Sequence, residues 1–318
     1  MKRLSACLIL IIVLHACAVN ISAQDISARR HWLIPSDTLH KPRLRLVLGT
    51  TTVGYVATFY GLNDLWYKGY PRSDFHWIDD GGEWLQLDKA GHMITPYQTS
   101  RLFAGTLRWA GVEPRKAALY GGLAMFMVSN TIEVFDGFSA QWGASGWDIA
   151  ANFAGAGLMT AQELLWEEQR ISLKVSLTFI DYPAGPLHDR ARHLYGASVI
   201  QRAIKDYNSI NIWLSVNPAS FGLPMGRFGW LNFAAGYSID NVYGGYNNKW
   251  TDKNGQYHDF SHLKRTRQLY LSPDIDFSRI RTNSPGLKTL FQVLNVFKVP
   301  APALELNTRG ELNWHWLR

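Results

Sequence analysis

One apolar stretch contains three side chains able to exchange protons or bind a metal, and they lie within only five consecutive positions. Residues 84–93 read WLQLDKAGHM, which contains Asp88, Lys89 and His92. Asp88 and His92 are four residues apart, so on a helix they share one face. A carboxylate placed there orients an imidazole for acid–base chemistry or helps to bind a metal. The alternative is a local ion pair on a helix surface.

A second polar group lies in the segment SNTIEVFDGF, residues 129–138. Asn130, Glu133 and Asp136 recur every three residues along an otherwise apolar helical pattern. Two carboxylates near an intended core indicate pairing with a cation or an ion, because an unpartnered buried charge is costly. The alternative is a solvated helix end.

A third pair lies in SGWDIAANFAG, residues 145–155. Ser145 followed by Asp148 three residues later predicts a helix N-cap in capping-box position. Capping explains Asp148 without any chemistry. It does not explain Asn152, which lies one turn beyond Asp148 on a face rich in Ala and Gly.

The nucleophile elbow, the zinc-binding helix motif and the phosphate-binding loop do not occur in the sequence. Residues 143–147 read GASGW, which lacks the final Gly of a nucleophile elbow. There is no H-E-x-x-H zinc helix and no phosphate-binding Gly-rich loop with Lys. Any hydrolysis would therefore depend on an activated water molecule.

The elements that carry these residues differ between the two halves of the chain. Hydrophobic periodicity predicts four helices, at 43–67, at 83–111 with a break near Pro96, at 115–136 and at 147–168. Glycines inside them predict close helix approach, at Gly121, Gly122, Gly155 and Gly157. No predicted helix is an unbroken apolar run of about 20 residues, which favours a compact bundle docked on a membrane over a spanning one.

The second half alternates apolar and polar residues, as strands do. Strands are predicted at 171–179, 210–216, 231–239, 267–278 and 303–317, with helices near 188–207 and 285–297. The polar stretch 249–264 is expected to be mobile. The predicted fold is α+β, with a small-residue-rich helical bundle at 24–168 and an antiparallel β region of about five strands at 169–318. Because a closed outer-membrane barrel has at least about eight strands, we expect a small sheet or a partial barrel.

The N-terminus and the composition indicate export. Lys2 and Arg3 precede the apolar run 8–14, and cleavage after Ala23 would remove a signal peptide at 1–23. The alternative is lipidation at Cys17. The only cysteines are Cys7 and Cys17, so cleavage after Ala23 leaves no thiolate site.

The net charge of +7 and the 13 Trp residues fit an envelope protein beside anionic lipid. Export makes nucleic acid an unsuitable partner. We expect a membrane lipid or an envelope protein as the partner, in the periplasm or at the outer membrane of a Gram-negative bacterium.

The order of these polar groups resembles a known layout. DKAGH at 88–92, Glu133 and SGWDIAANFAG at 145–155 resemble a VanZ-like arrangement of helical motifs. More closely, residues 83–160 resemble an uncharacterised family of predicted periplasmic lipoproteins that includes YfiM. The second half resembles C-terminal extensions of longer envelope members, through RQLYLSPDIDFSRI at 267–280 and KVPAPALEL at 298–306. The resemblance implies placement in the envelope and supplies candidate residues, but no activity.

With this resemblance, we predict that the three polar groups meet in one centre between helices, formed by Asp88, His92, Glu133, Asp148 and Asn152. In a structural or accessory envelope protein, such a centre would hold the helices in register, and the sheet would engage a barrel or partner. In an enzyme, the centre would act on envelope lipid or glycolipid. A lipid-binding module is a third alternative.

In the enzyme hypothesis, the catalytic residues are Asp88, His92, Glu133 and Asp148. The substrate would contact Lys89, Arg101 and Asn152, the first two as phosphate-binding cations. No cofactor is evident, although His92, Glu133 and Asp148 would suit a divalent metal such as Mg²⁺, Mn²⁺ or Zn²⁺.

Overall fold

The computed structural model describes residues 32–63, 67 and 70–318. The predicted signal peptide and Cys17 lie outside these residues. The fold is α+β, and the chain forms two compact units. The first comprises the described residues up to Asp79, Thr95–Gln169 and Arg281–Val293, and the second comprises Asp80–Ile94, Arg170–Ile280 and Leu294–Arg318.

The helices of the first half lie where the periodicity predicts them. Their bounds are α1 Lys41–Leu62, α2 Leu87–Trp109, α3 Pro114–Gly137 and α4 Gly146–Trp166. Two starts have clear local causes. Pro114 occupies the first turn of α3, where its missing N–H costs nothing, and the Ser145 hydroxyl caps α4 by accepting from the backbone N–H of Asp148.

The predicted break near Pro96 is wrong, because α2 continues through this residue. The interruption lies earlier, in the 3₁₀ turn Glu83–Gln86. There Trp84, Leu85 and Gln86 have φ angles of 48°, 51° and 63°. Left-handed backbone is unfavourable for L residues with a Cβ, so tertiary contacts must hold this turn.

Close approach of helices explains two of the four helical glycines. A Cβ at Gly121 would lie 2.9 Å from the Cβ of Ala104 on α2, and one at Gly122 would lie 2.0 Å from Oγ1 of Thr160 on α4. Both contacts lie within the first unit. The same explanation is wrong for Gly157, where a Cβ would meet nothing within 4 Å.

Among the described residues, α3 is the one helix long and apolar enough to cross a membrane. A third of its most apolar window is buried. Core helices of soluble proteins meet the same criteria, so length and composition alone assign no span.

The second unit contains an antiparallel sheet of six strands, where about five were predicted. In spatial order they are β10 Leu312–His315, β9 Ala303–Asn307, β8 Thr266–Ile275, β5 Leu231–Asp240, β4 Ile210–Val216 and β3 Ile171–Leu177. The extra strand arises because 303–317 folds into a hairpin, whose turn uses Gly310 at a φ of 81°.

The segment 296–298 runs along the free edge of β3. Val175 in β3 donates its N–H to Val296 O, and Lys298 N–H donates back to Val175 O. The N–H of Arg318 donates to Ala301 O, which continues the pairing of β9 with β10. The edge strand β3 is therefore partly covered by main-chain hydrogen bonds, which limits edge-to-edge aggregation there.

One further prediction for the second half needs correction, and one segment contains strands that were not predicted. The helix expected near 188–207 is two helices, α5 Pro186–Tyr195 and α6 Val199–Lys205, separated at Gly196 with a φ of 85°. The stretch 249–264 contains a hairpin of β6 Lys249–Thr251 and β7 Tyr257–Asp259. The last helix, α7, covers Pro285–Leu294, and β1 Trp77–Ile78 pairs with β2 Ala144–Ser145 in the first unit.

The buried side of the six-stranded sheet combines polar networks with a small cluster of Trp213, Ala234, Tyr270 and Ala303. Lys174 of β3 and Asp274 of β8 form an ion pair of 2.8 Å, and both side chains are fully buried. Lys174 also donates to Ile275 O, and the Ser215 hydroxyl donates to Asp274. A buried ion pair is tolerated only when hydrogen bonds satisfy its remaining polar atoms, as they do here.

Removing one member of this pair should destabilise the second unit strongly. We expect Asp274→Asn to lower the free energy of unfolding by about 3–5 kcal/mol, because Lys174 remains buried without a counter-charge. The double variant Lys174→Met/Asp274→Leu should recover much of that loss. Chemical denaturation with intrinsic fluorescence would measure both, and equal stability of the single and double variants would contradict the assignment.

Lys298, which is buried beside this pair, should make stability depend on pH. Burial, assisted by the nearby Lys174 charge, lowers the pKa of Lys298 to about 8, although Asp274 opposes this. Between that value and the ordinary lysine pKa of 10.5, the unfolded chain binds more protons than the folded one. The unfolding free energy should therefore rise with pH in this window relative to Lys298→Met. Parallel pH profiles of the two proteins would contradict the expectation.

Candidate functional site

The opening motif forms a small polar group within the second unit. The Lys89 ammonium donates to Asp80 Oδ2 at 2.5 Å and to Asp88 Oδ2 at 3.1 Å. The Tyr207 hydroxyl donates to Asp88 Oδ1 at 2.7 Å. Asp80 is buried and the other side chains of the group are largely buried. Charge-assisted bonds of this kind are among the stronger ones in proteins, so the group fixes the start of α2.

His92 lies on the same face of α2 as Asp88, as the spacing predicts. Its Nε2 atom is 4.0 Å from Asp88 Oδ1, which is an ion-pair distance when the ring is protonated but is too long for a hydrogen bond. About a fifth of each side chain is exposed. Asp88 and His92 thus offer one oxygen atom and one nitrogen atom that solvent reaches and that could bind a metal ion.

Contacts within the second unit hold the strained turn before this group. Trp84 N–H donates to Gly245 O at 2.8 Å, and its ring packs on Tyr207 with centroids 5.0 Å apart. The carbonyl of Leu85 accepts hydrogen bonds from Tyr237 and Arg267. These bonds satisfy backbone groups that a regular helix start would leave to solvent. The turn therefore positions Asp88 and Lys89 precisely against Asp80 and Tyr207.

A second polar group lies between α3 and α4 in the first unit. Glu133 Oε2 accepts the N–H of Ser145 at 3.1 Å, and Ser145 Oγ accepts the N–H of Asp148 at 3.1 Å. Asn152 donates to Asn130 Oδ1 at 3.2 Å. Glu133, Asp148 and Asn152 are 2%, 5% and 1% exposed. The Glu133 carboxylate and the cap of α4 are therefore one connected structure.

Asp136 extends the polar side of α3 toward Tyr67. The Tyr67 hydroxyl donates to Asp136 Oδ1 at 2.6 Å. Burial raises the pKa of the Tyr67 phenol well above its usual range, and the negative charges of Asp136 and Glu133 add to the effect. Tyr67 thus remains a neutral hydrogen-bond donor at every physiological pH.

The two predicted substrate-binding cations both contact protein oxygen atoms. Lys89 binds two carboxylates of its own unit, as described above. Arg101 is buried and donates to Gln98 Oε1, Gln292 Oε1 and Gln292 O within the first unit. An incoming phosphate would have to displace these contacts, so phosphate binding by either residue stays a prediction.

The predicted site residues are distributed over both units. Asp88, Lys89 and His92 belong to the second, whereas Arg101, Glu133, Asp148 and Asn152 belong to the first. Within the first unit, the structure brings together Glu133, Asp148 and Asn152. The single centre that would join them to Asp88 and His92 stays a prediction.

Sequence reasoning missed Asp80 and Tyr207. Asp80 precedes Gly81 and Gly82 in a loop, and Tyr207 is 119 positions from Asp88. The signal for Asp80 was its closeness to a lone Lys on an apolar stretch, which requires a counter-charge. No local signal in the sequence pointed to Tyr207.

Residues 74–163 match the model of a family described as predicted periplasmic lipoprotein (DUF2279), a family of unknown function. The match includes Asp88 and His92 as well as Glu133, Asp148 and Asn152. It confirms the resemblance to an uncharacterised family of predicted periplasmic lipoproteins, and it supports an exported protein of the periplasm. The VanZ-like layout stays a prediction. No curated protein and no solved structure matches the chain.

The buried position of Asp80 predicts a stability effect that an exposed counterpart lacks. Asp80→Asn should lower the unfolding free energy by about 1–3 kcal/mol, because Lys89 loses its shortest charge-assisted bond. The matched control is Asp259→Asn, which removes an exposed pair with Lys249. We expect little effect from the control in denaturant unfolding. Equal losses in both variants would contradict the structural role of Asp80.

Proposed function

We propose that the chain is a membrane-associated structural or accessory protein of the bacterial cell envelope. In this proposal, the polar residues between α3 and α4 fix the packing of the helices. The supporting observation is the bonding of Glu133, whose carboxylate accepts a backbone N–H of Ser145 next to the cap of α4. This bond gives the carboxylate a role in the fold, because loss of the acceptor would leave a buried backbone N–H unpaired.

The outer sides of α1 and α3 support membrane association. On α3 the exposed side chains are large and apolar, namely Leu119, Tyr120, Leu123, Met127 and Val134. On α1 they include Leu46, Leu48, Val53, Val56 and Tyr60. Contiguous exposed apolar surface on this scale marks a site of membrane or protein contact.

The enzyme hypothesis has one observation in its favour. Asp88 and His92 are partly accessible to solvent and share a helix face, as an acid–base pair or two metal ligands would. The hypothesis also needs Glu133 and Asp148 as further groups. The second candidate is therefore a hydrolase of envelope lipid or glycolipid that activates water with a divalent metal.

The lipid-binding alternative receives less support. A cavity of about 190 Å³ in the first unit is lined by Tyr67, Tyr70, Val134, Phe135 and Phe138, among others. Its volume is below the roughly 300 Å³ at which pockets for small molecules begin. The helical glycines do not line this cavity, contrary to what an acyl pocket between them requires.

Variants of Glu133 should separate the structural proposal from the enzyme hypothesis. Glu133→Gln keeps an acceptor for Ser145 N–H, so we expect a loss below about 1 kcal/mol in unfolding free energy. Glu133→Leu leaves that buried N–H unpaired and should cost about 1–3 kcal/mol. Denaturant unfolding measures both, and equal destabilisation by the two changes would contradict the proposed role of the acceptor.

Metal analysis of the same purified proteins provides the second arm of this test. The structural proposal predicts no stoichiometric metal and no change in melting temperature with EDTA, Mg²⁺, Mn²⁺ or Zn²⁺. A bound metal that is lost in Glu133→Gln, Asp148→Asn and His92→Ala would contradict the proposal and support the metal-dependent hydrolase.

A further inference from the structure

The outward side of the six-stranded sheet is apolar over most of its area. Strand pairing places twelve residues with this character on one side of strands β4, β5, β8, β9 and β10. We call this set the apolar sheet face, and it consists of Leu214, Val216, Phe233, Ala235, Tyr237, Leu269, Leu271, Pro273, Leu304, Leu306, Leu312 and Trp314. The set contains no charged side chain, and Arg267 lies at its margin in β8.

The members of the apolar sheet face form continuous rows across the strands. In one row Ala235 pairs with Leu271, Leu271 with Leu304, and Leu304 with Trp314. In a second row Tyr237, Leu269, Leu306 and Leu312 pair in the same way. Leu271, Leu312 and Trp314 are 65%, 67% and 55% exposed. Strands lie about 4.8 Å apart, so each row extends about 14 Å across the sheet.

The opposite side of the sheet is already filled, by polar residues and by a small cluster around Trp213 and Tyr270. Besides the Lys174–Asp274 pair, Asn232 donates to Ser215, and Asn217 donates to Asn232. Toward β10, Glu305 accepts from Asn307 and lies 2.7 Å from His315 Nε2. From β4 to β10 the sheet thus carries polar networks on its buried side and exposed apolar residues on the other, whereas most sheets place apolar residues toward the core.

The chemistry of the apolar sheet face favours lipid over a protein partner. Protein interfaces are only about 56–65% nonpolar and carry polar groups that pair across them. A lipid acyl chain offers no hydrogen bonds and needs none. β5 and β8 have ten residues each, which is the length of strands that lie in hydrocarbon.

The charge of the second unit is complementary to an anionic membrane surface. The unit contains seventeen Lys and Arg residues and thirteen Asp and Glu residues, a formal net charge of +4. Exposed apolar residues continue past the strands, at Phe221 and Leu223 after β4 and at Trp316 and Leu317 after β10. Arg227 is exposed in the same β4–β5 loop. Trp residues and cations beside an apolar surface are typical of the membrane interface.

We propose that the apolar sheet face inserts among the acyl chains of an anionic phospholipid leaflet. Leu269, Leu271, Leu306 and Trp314 would contact the chains, and Arg227 would lie near the headgroups. This inference goes beyond the proposed function, because it assigns a lipid contact to the sheet rather than to the helices. It also replaces the predicted protein partner of the sheet with lipid.

A spin label on the sheet tests the proposal directly. The full-length chain with Cys7→Ser and Cys17→Ser would carry Leu271→Cys, or Asn254→Cys as the control in the exposed β6–β7 turn. Each cysteine is labelled with a nitroxide and mixed with vesicles of phosphatidylcholine and phosphatidylglycerol. Collision with oxygen reports a lipid environment, and collision with a water-soluble nickel complex reports water.

On vesicle binding, the label at residue 271 should gain oxygen accessibility and lose nickel accessibility, and the label at residue 254 should remain accessible to nickel. A label at 271 that stays in water on vesicle-bound protein would overturn the inference, while leaving the proposal for the helices intact. Loss of nickel accessibility at 271 without vesicles, at rising protein concentration, would overturn it in favour of a second copy of the chain.

A partition measurement provides an independent check. Leu269→Thr/Leu271→Thr should weaken partition into the same vesicles at least about tenfold, because two apolar side chains lose their lipid contact. Thr is well accepted in strands, and circular dichroism verifies the fold. The matched control is Val199→Thr/Ile200→Thr, which changes two exposed apolar residues on α6. Equal partition of the sheet variant and the wild type would overturn the inference.

Discussion

The ion pair between Lys174 and Asp274 determines how the sheet divides polar from apolar surface. Both groups are fully buried and joined at 2.8 Å. Charges in such a place need a complete set of partners, and Ser215, Asn232 and Asn217 extend the network along one side of the sheet. Because neighbouring side chains alternate in a strand, a polar interior forces the apolar residues outward. The exposed leucines of β8, β9 and β10 follow from this constraint.

The first unit also separates buried polar residues from exposed apolar ones, here on helices rather than on strands. Glu133, Ser145 and Asp148 lie buried between α3 and α4, while Leu123 and Met127 are exposed on α3. Gly121 lets α3 approach Ala104 closely, which leaves little room for large side chains between the helices. Helices that associate through small and polar residues, with large apolar residues outside, are typical of proteins in contact with lipid. An exported protein of the periplasm lies beside two membranes.

Much of the fold could be predicted from local signals. Ser145 and Pro114 defined helix starts because capping and proline geometry act over a few residues. The alternation at 210–216 gave a strand with the observed bounds. Alternation alone does not say which side is buried, so the reversed arrangement of the sheet could not be read from it. The strained turn at Trp84–Gln86 depends on distant contacts with Gly245 and Tyr237, and no local pattern encodes these.

Local spacing predicted part of the candidate site, but contacts between distant residues could not be predicted. The four-residue spacing placed Asp88 and His92 on one helix face, and the capping pattern placed Ser145 against Asp148. The bond from Tyr207 to Asp88 could not be predicted, because it joins residues far apart in the chain. The buried role of Lys174 was hidden for another reason. In an alternating strand, a lysine is expected on the solvent side.

We expect apolar side chains of this protein to face lipid while its polar networks lie inside. Phospholipids with a diazirine on the acyl chain test this claim most directly, by photo-crosslinking followed by mass spectrometry of the peptides. The account predicts adducts on outward positions of β8, β9 and β10 and on the exposed side of α3, with none on the β6–β7 hairpin. Adducts that are absent from both surfaces, or as frequent on the hairpin, would contradict it.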